Sequence, residues 1–203
     1  MAQAKKYDIY KEHEADYITP KTPALVEIKP ARYLAIVGRG DPKGKVFQAK
    51  MGALYNVAFT VKMARKFAGR DYTVSKLEGQ WWLDGKDKTY LDEPPSNWNW
   101  KLLIRVPGFI TQEEVDAAIG KLREKGKPAE VSEVKLETLD EGRCVQMLHL
   151  GPYDAEAKTI AAMTAFAQGN GLGYHGLHHE IYLSDPRRVA PARLRTILRH
   201  PVR

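Results

Sequence analysis

One cysteine, Cys144, is the chain's whole supply of thiols, which excludes an internal disulfide and agrees with a reducing compartment. Within Cys144-Val145-Gln146-Met147-Leu148 it reads as a small buried hydrophobe rather than a nucleophile. No apolar run approaches the roughly 20 residues that span a bilayer. The stretch from Met1 to Asp16 is charged throughout and lacks the apolar segment of a secretory signal, so a cytoplasmic protein with no membrane partner is expected. Helix-turn-helix patterning, zinc-ligand spacing and aromatic RNA-binding signatures are missing. The net charge of +7, much of it in Arg187, Arg188, Arg193, Arg195, Arg199 and Arg203, therefore reads as a solvated basic surface and not as nucleic-acid recognition. Gly38-Arg39-Gly40 follows an expected strand. Neither the later glycine of a dinucleotide fingerprint nor a Gly-Lys-Ser/Thr comes after it, which excludes a nucleotide loop.

What is present is a chain long enough for a sizeable core, with a repeated order of elements. In residues 24–106, strands are expected at Leu25–Ile28 and Tyr33–Val37, a helix over 45–66, and strands at Leu77–Leu83 and Trp98–Val106 around the turn-rich Asp84–Asn97. In residues 131–202 the order recurs: strands at Val131–Thr138 and Cys144–Leu150, a helix over 154–168, the strand ending His178–Leu183, and a last strand over 194–202. Thr111 and Glu114 carry a capping-box signature for a connector helix over 111–125. The expected fold class is α+β. A duplicated strand-strand-helix-strand-strand module would join edge to edge into an antiparallel sheet of about eight strands with helices on one side. A central cavity is expected on the pseudo-twofold axis, and residues 1–203 are expected to form one domain.

The run His178-His179-Glu180-Ile181-Tyr182-Leu183 alternates as a strand does. Period 2 sorts His178, Glu180 and Tyr182 to one face and His179, Ile181 and Leu183 to the other. An acid among aromatic rings is either a tuned group in a binding site or a carboxylate on a solvated sheet face. Trp81, Trp82, Trp98 and Trp100 fall on the two strands that end the first half. Trp98 and one of the oppositely pointing Trp81 and Trp82 are placed to wall a cavity for planar or cationic ligands, whereas Trp100, alternating with Leu102 and Ile104, is equally a core residue. Glu156, Ile160, Met163 and Ala167 recur at helical spacing, which turns Glu156 toward the sheet. Its competing account is an acid stabilised by the helix N-terminus beside a capping Asp154. Tyr153 and Tyr55 offer phenols from opposite sides, as hydrogen-bond donors or as core-edge residues. His178 and His179 face oppositely, leaving two ligands per face where zinc wants three or four, so no metal and no cofactor is expected.

Six segments together resemble the GyrI-like family of small-molecule-binding domains, relatives of the drug-sensing domains of multidrug-responsive transcription regulators. They are Lys6-Tyr7-Asp8-Ile9-Tyr10-Lys11, Gly38-Arg39-Gly40-Asp41-Pro42, Leu77-Glu78-Gly79-Gln80-Trp81-Trp82, Gly151-Pro152-Tyr153-Asp154, His178-His179-Glu180-Ile181-Tyr182-Leu183-Ser184-Asp185-Pro186 and Ile197-Leu198-Arg199-His200-Pro201-Val202. The resemblance implies a duplicated module around a cavity with a glutamate matching Glu180 at its base, and lipophilic aromatic or cationic small molecules as partners. For some stand-alone members it also implies hydrolysis of the strained cyclopropane in cyclopropylpyrroloindole DNA alkylators, by paired acids between aromatic walls. Carried over, the acids are Glu180 and, second, Glu156. The residue reading adds Tyr153 or Tyr182 as donor, with Trp81, Trp82, Trp98, Trp100, Tyr55, Tyr182 and His178 as ligand contacts. No DNA-binding helices accompany these segments, so a one-component regulator is not expected. Sequestration of lipophilic cations without chemistry, and modulation of gyrase, are the other readings.

Overall fold

The computed structural model describes residues 6–85 and 93–203; the start of the charged N-terminal stretch and the middle of Asp84–Asn97 lie outside the described residues. Among the described residues, eight strands, β1 (Ala24–Ile28), β2 (Ala31–Arg39), β3 (Leu77–Trp82), β4 (Asn99–Val106), β5 (Lys135–Leu139), β6 (Gly142–Leu150), β7 (His178–Tyr182) and β8 (Arg195–Pro201), form one antiparallel sheet ordered β1-β6-β8-β7-β3-β4-β2-β5. Exchanging each strand for its counterpart in the other half returns the same order read backwards. The halves meet edge to edge where β3 pairs with β7. The outer strands depart from a simple joining of two units, because β1 pairs with β6 and β5 with β2, so each half lends its first strand to the other. Only Lys29 and Pro30 connect β1 to β2, and no residue there takes the positive φ that a tight two-residue hairpin needs.

Among the described residues, four α-helices accompany the sheet: α1 (Ile9–Glu12), α2 (Lys45–Phe67), α3 (Gln112–Glu124) and α4 (Ala157–Gly169). The apolar stripe of α2, including Leu54, Val57 and Val61, packs on Leu34, Ile36, Leu102 and Ile104. Met163 and Ala167 of α4 cover Val145 and Leu198. Both helices thus lie on the sheet face that carries Glu180, in register with Leu102 and Leu198 through Gly79. The expected capping box starts α3, with the Thr111 amide donating to Glu114 Oε2 at 2.9 Å. Among the described residues, no helix is long and apolar enough to cross a membrane.

The other sheet face carries charge where alternation leads one to expect apolar side chains. Glu78, Arg105, His179 and Arg199 project there beside Tyr33, and Asp16 and Tyr17 of the N-terminal segment close over them. Arg105 Nη1 donates to Asp16 Oδ2 at 2.8 Å, and Tyr17 donates to Glu78 at 3.4 Å. His179 Nδ1 lies 2.8 Å from Glu141 Oε1, while Nε2 lies 3.0 Å from Glu78 Oε2 as an ion pair without hydrogen-bond alignment. Arg199 donates to Glu141 at 2.9 Å, to Gln146 at 2.7 Å and to the Asp16 carbonyl. Arg199, expected on a solvated basic surface, is therefore a correction: it is 1% exposed, while Arg187, Arg188, Arg193, Arg195 and Arg203 are on the surface. Three acids face three bases in this cluster, so buried charge balances when His179 is an imidazolium.

Burial alone would lower the His179 pKa, but Glu141 and Glu78 outweigh it and raise it to about 9. Burial would raise the Glu141 carboxyl, and His179 with Arg199 instead hold it down at about 2. A raised imidazole contributes stability that is complete below its ordinary 6.5 and is lost as pH climbs through about 9. The depressed carboxyl contributes stability present above its ordinary 4.5 and lost as pH falls through about 2. The melting temperature is accordingly expected to decline between pH 6.5 and 9, and His179→Gln should flatten that limb of a calorimetric pH series.

Candidate functional site

Pairing of β7 with β3 sets Glu180 opposite Gly79 and His178 opposite Trp81, at the centre of the sheet and under the start of α4. A 3-10 turn, Tyr153–Ala155, precedes α4, and Glu156 occupies its N-cap position without a side-chain capping bond. The helix therefore begins later than expected, and the cap falls to Glu156 rather than Asp154. Glu156 is 1% exposed, Glu180 4% and His178 6%. One side-chain ligand atom from each lies within 4.8 Å of the others. The count of two candidate ligands per face is thereby corrected: α4 supplies a third that strand alternation alone does not reveal.

Two carboxyls this close and this dry do not both ionise. Glu156 Oε1 is buried with no donor in reach, so its contact with Glu180 becomes a hydrogen bond only if a proton lies between them. Burial first, then the charge of Glu180 and that hydrogen bond, push the Glu156 carboxyl well above the usual range. Glu180 is supplied with donors instead. Trp81 Nε1, which can only donate, reaches the Tyr182 hydroxyl oxygen at 3.2 Å, and the Tyr182 hydroxyl hydrogen-bonds Glu180. That polarity leaves the Tyr182 proton aimed at Glu180 and the shared carboxyl proton on Glu156. Burial, with the charge of Glu180, pushes Tyr153 up to about 12 and Tyr182 well above its ordinary value, so both phenols remain donors.

The aromatic residues divide. Trp81 stacks on Phe47 at 6.1 Å and meets Trp98 edge-on at 5.8 Å, and Tyr153 meets Tyr182 edge-on at 5.7 Å. Trp98 is half-buried and its Nε1 donates to the Glu93 carbonyl at 2.8 Å. Tyr55, half-buried on α2, stacks on Phe59 at 6.2 Å and feels Arg187 and Asp185 of the loop after β7, and Asp185 also acts on Tyr153. Trp82 points to the opposite sheet face from Glu180, so it is not a wall of this site. Trp100 is a correction as a ligand contact: it is fully buried beneath Gly38, where a Cβ would come within 2.0 Å of its ring, and its Nε1 donates to the Gly40 carbonyl at 3.0 Å. Cys144 is buried as expected, and burial raises its thiol to about 12.

Gly79 is a site residue that sequence reading passes over. A Cβ there would stand 2.9 Å from the Tyr182 hydroxyl and 3.1 Å from Trp81 Nε1, at the junction that orients the proton toward Glu180. Gly79→Ala is expected to keep the fold and to displace the Tyr182 hydroxyl, seen as a changed Tyr182 hydroxyl environment by NMR with a melting temperature within about 4 °C of the parent.

A model of the GyrI-like small molecule binding domain matches residues 21–203. The chain belongs to the GyrI-like family. A crystal structure of an uncharacterized conserved protein from Listeria innocua is 36% identical with a TM-score of 0.90, covering 98% of this chain and 100% of its own. Another, a hydrolase from Listeria innocua, is 35% identical with a TM-score of 0.86 and the same coverage. The C-terminal domain of EcmrR, at 13% identity and a TM-score of 0.61 over 90% of this chain and 97% of its own, shares the fold alone. No protein of curated function matches the sequence. In this GyrI-like domain the segment carrying Asp16 and Tyr17, which seals the charge cluster, precedes the matched residues.

Proposed function

We propose that this GyrI-like domain binds planar, electrophilic aromatic compounds and hydrolyses strained examples of the cyclopropylpyrroloindole type by adding water. The observation that carries this reading is the buried Glu156 and Glu180 pair, polarised by Trp81 and Tyr182 so that one acid is neutral and the other charged. Two adjacent carboxyls in different protonation states are equipped to orient and deprotonate one water. The Listeria innocua relative named a hydrolase supports a chemical role over binding alone.

Glu180 accepts the proton the water loses, and Glu156, protonated against Glu180, accepts a hydrogen bond from the same water at its carbonyl oxygen and so orients it. The new C–O bond forms at the cyclopropyl carbon as its strained C–C bond breaks. The released electron pair moves through the conjugated ring to the carbonyl oxygen, which Tyr153 stabilises by hydrogen bonding and solvent protonates. Solvent then takes the proton from Glu180, so the sum is one water added. Trp81, Trp98 and Tyr182 would hold the flat ligand. Ring strain lowers the barrier, and base assistance of about 10²- to 10⁴-fold is enough for turnover.

Mass spectrometry of a cyclopropylpyrroloindole incubated with the protein tests this. A product heavier by one water, formed faster than in buffer, supports the hydrolase; compound bound but recovered intact refutes it and leaves a binder of lipophilic aromatic or cationic molecules.

A further inference from the structure

Large apolar side chains belong inside, and among the described residues eight stand exposed. Three of those eight, Phe59, Met63 and Phe67, recur every fourth position on the outer face of α2, and Phe67 is 81% exposed. The inner face, with Leu54, Val57 and Val61, is occupied by the core, so the outer stripe is no part of the sheet packing. Charge follows the same helix. Over its 23 positions α2 holds five basic residues and no acid. Lys50, Lys62 and Arg65 are paired with Glu133, Asp71 and Glu114, while Lys45 and Lys66 are exposed and have no ion pair among the described residues. Lys45 lies five turns before Met63 and Lys66 three positions after it, so both cations share the face that carries the stripe.

A protein partner fits this face poorly. Phe59, Met63 and Phe67 together expose on the order of 300 Å², against about 800 Å² per partner in a stable complex. A second copy would also set like charges against like charges, with no acid on the helix to answer them. A bilayer asks for no shape complementarity: aromatic side chains insert at the acyl boundary while lysines snorkel to anionic headgroups. We propose that the outer face of α2 docks the domain on an anionic phospholipid surface, with Phe59, Met63 and Phe67 inserted at the headgroup boundary and Lys45 and Lys66 on the lipid phosphates. A helix lying flat on the surface needs no spanning run, so the lack of one, which led to the expectation of no membrane partner, does not oppose this docking.

Co-sedimentation of the full chain with vesicles tests the surface, one set made of phosphatidylcholine alone and the other of phosphatidylcholine and phosphatidylglycerol in equal parts. The expected result is saturable binding to the mixed vesicles, about tenfold or more tighter than to phosphatidylcholine alone. Phe59→Ser combined with Phe67→Ser should weaken it about tenfold or more, and Lys66→Glu should weaken it at low salt, with melting temperatures like the parent's because these side chains stand largely in solvent. Val37→Ser, at an exposed apolar position on the sheet face turned away from α2, should leave binding unchanged. Vesicle binding is read without turnover, so it stands or falls apart from the chemistry at Glu180. No sedimentation with the mixed vesicles at millimolar lipid, equal binding to phosphatidylcholine alone, or binding undiminished in the phenylalanine double variant overturns the proposal. So does a dimer of the parent in sedimentation-velocity centrifugation that the double variant disperses, since a second copy would then cover the stripe.

Discussion

Glu180→Gln is expected to lose about 10²- to 10⁴-fold in turnover of a cyclopropylpyrroloindole while keeping its fold and its ligand affinity. Glutamine preserves the shape and still accepts from Tyr182, so the proton that Trp81 and Tyr182 aim at this position keeps an acceptor. What disappears is the proposed base. The substitution also removes the buried negative charge that raises Glu156, so the variant should melt no lower than the parent at pH 7. Steady-state kinetics read the loss in kcat with KM little changed, because the contact removed matters in the transition state and not in aromatic stacking. Unchanged kcat would remove Glu180 from the chemistry.

Arg199→Met should cost the most stability of any single change on the charged sheet face, about 3–5 kcal/mol, because it strands the Glu141 carboxylate in a sealed interior. For a chain of this size that corresponds to a fall of roughly 6–20 °C in melting temperature. Arg199 also holds the Asp16 carbonyl and Gln146, so the N-terminal segment should loosen with it, read as faster amide exchange at Tyr17 and Ile18. The double variant Arg199→Met with Glu141→Gln should recover part of the loss, since the stranded charge is gone. A melting temperature within a degree or two of the parent for Arg199→Met alone would contradict the account of a balanced cluster.

The residues that build the site were legible from local periodicity. Alternation in β7 put His178, Glu180 and Tyr182 on one face, and helical spacing turned Glu156 inward, and both hold. Pairing between distant strands was not legible. Nothing near Leu25 or Leu136 announces that their strands cross to the opposite half, because that choice depends on which edges remain open after the central strands pair. The charge cluster was hidden for a related reason. Glu78 sits in a polar-looking strand, Arg199 among five surface arginines, and Asp16 in a charged stretch, and only tertiary contact turns three solvated-looking residues into one buried network. Its faint signal is the placement of Arg105 and Arg199 at strand positions whose neighbours on the same face, Leu103 and Ile197, are core residues. Trp100 and Trp82 show the limit of composition: strand parity sends Trp82 to the sheet face opposite Trp81 and Trp100, while the close approach of Gly38 buries Trp100 in the core.

Infrared difference spectroscopy in the carbonyl-stretching region of protonated carboxylic acids, parent minus Glu156→Gln at pH 7, tests the polarised pair most directly. The account predicts a protonated-acid band in the parent that the substitution deletes, and one that Glu180→Gln leaves on Glu156. A spectrum in which Glu156 contributes only carboxylate bands at pH 7 would contradict it, because the site would then hold two like charges and no neutral acid to set beside the base.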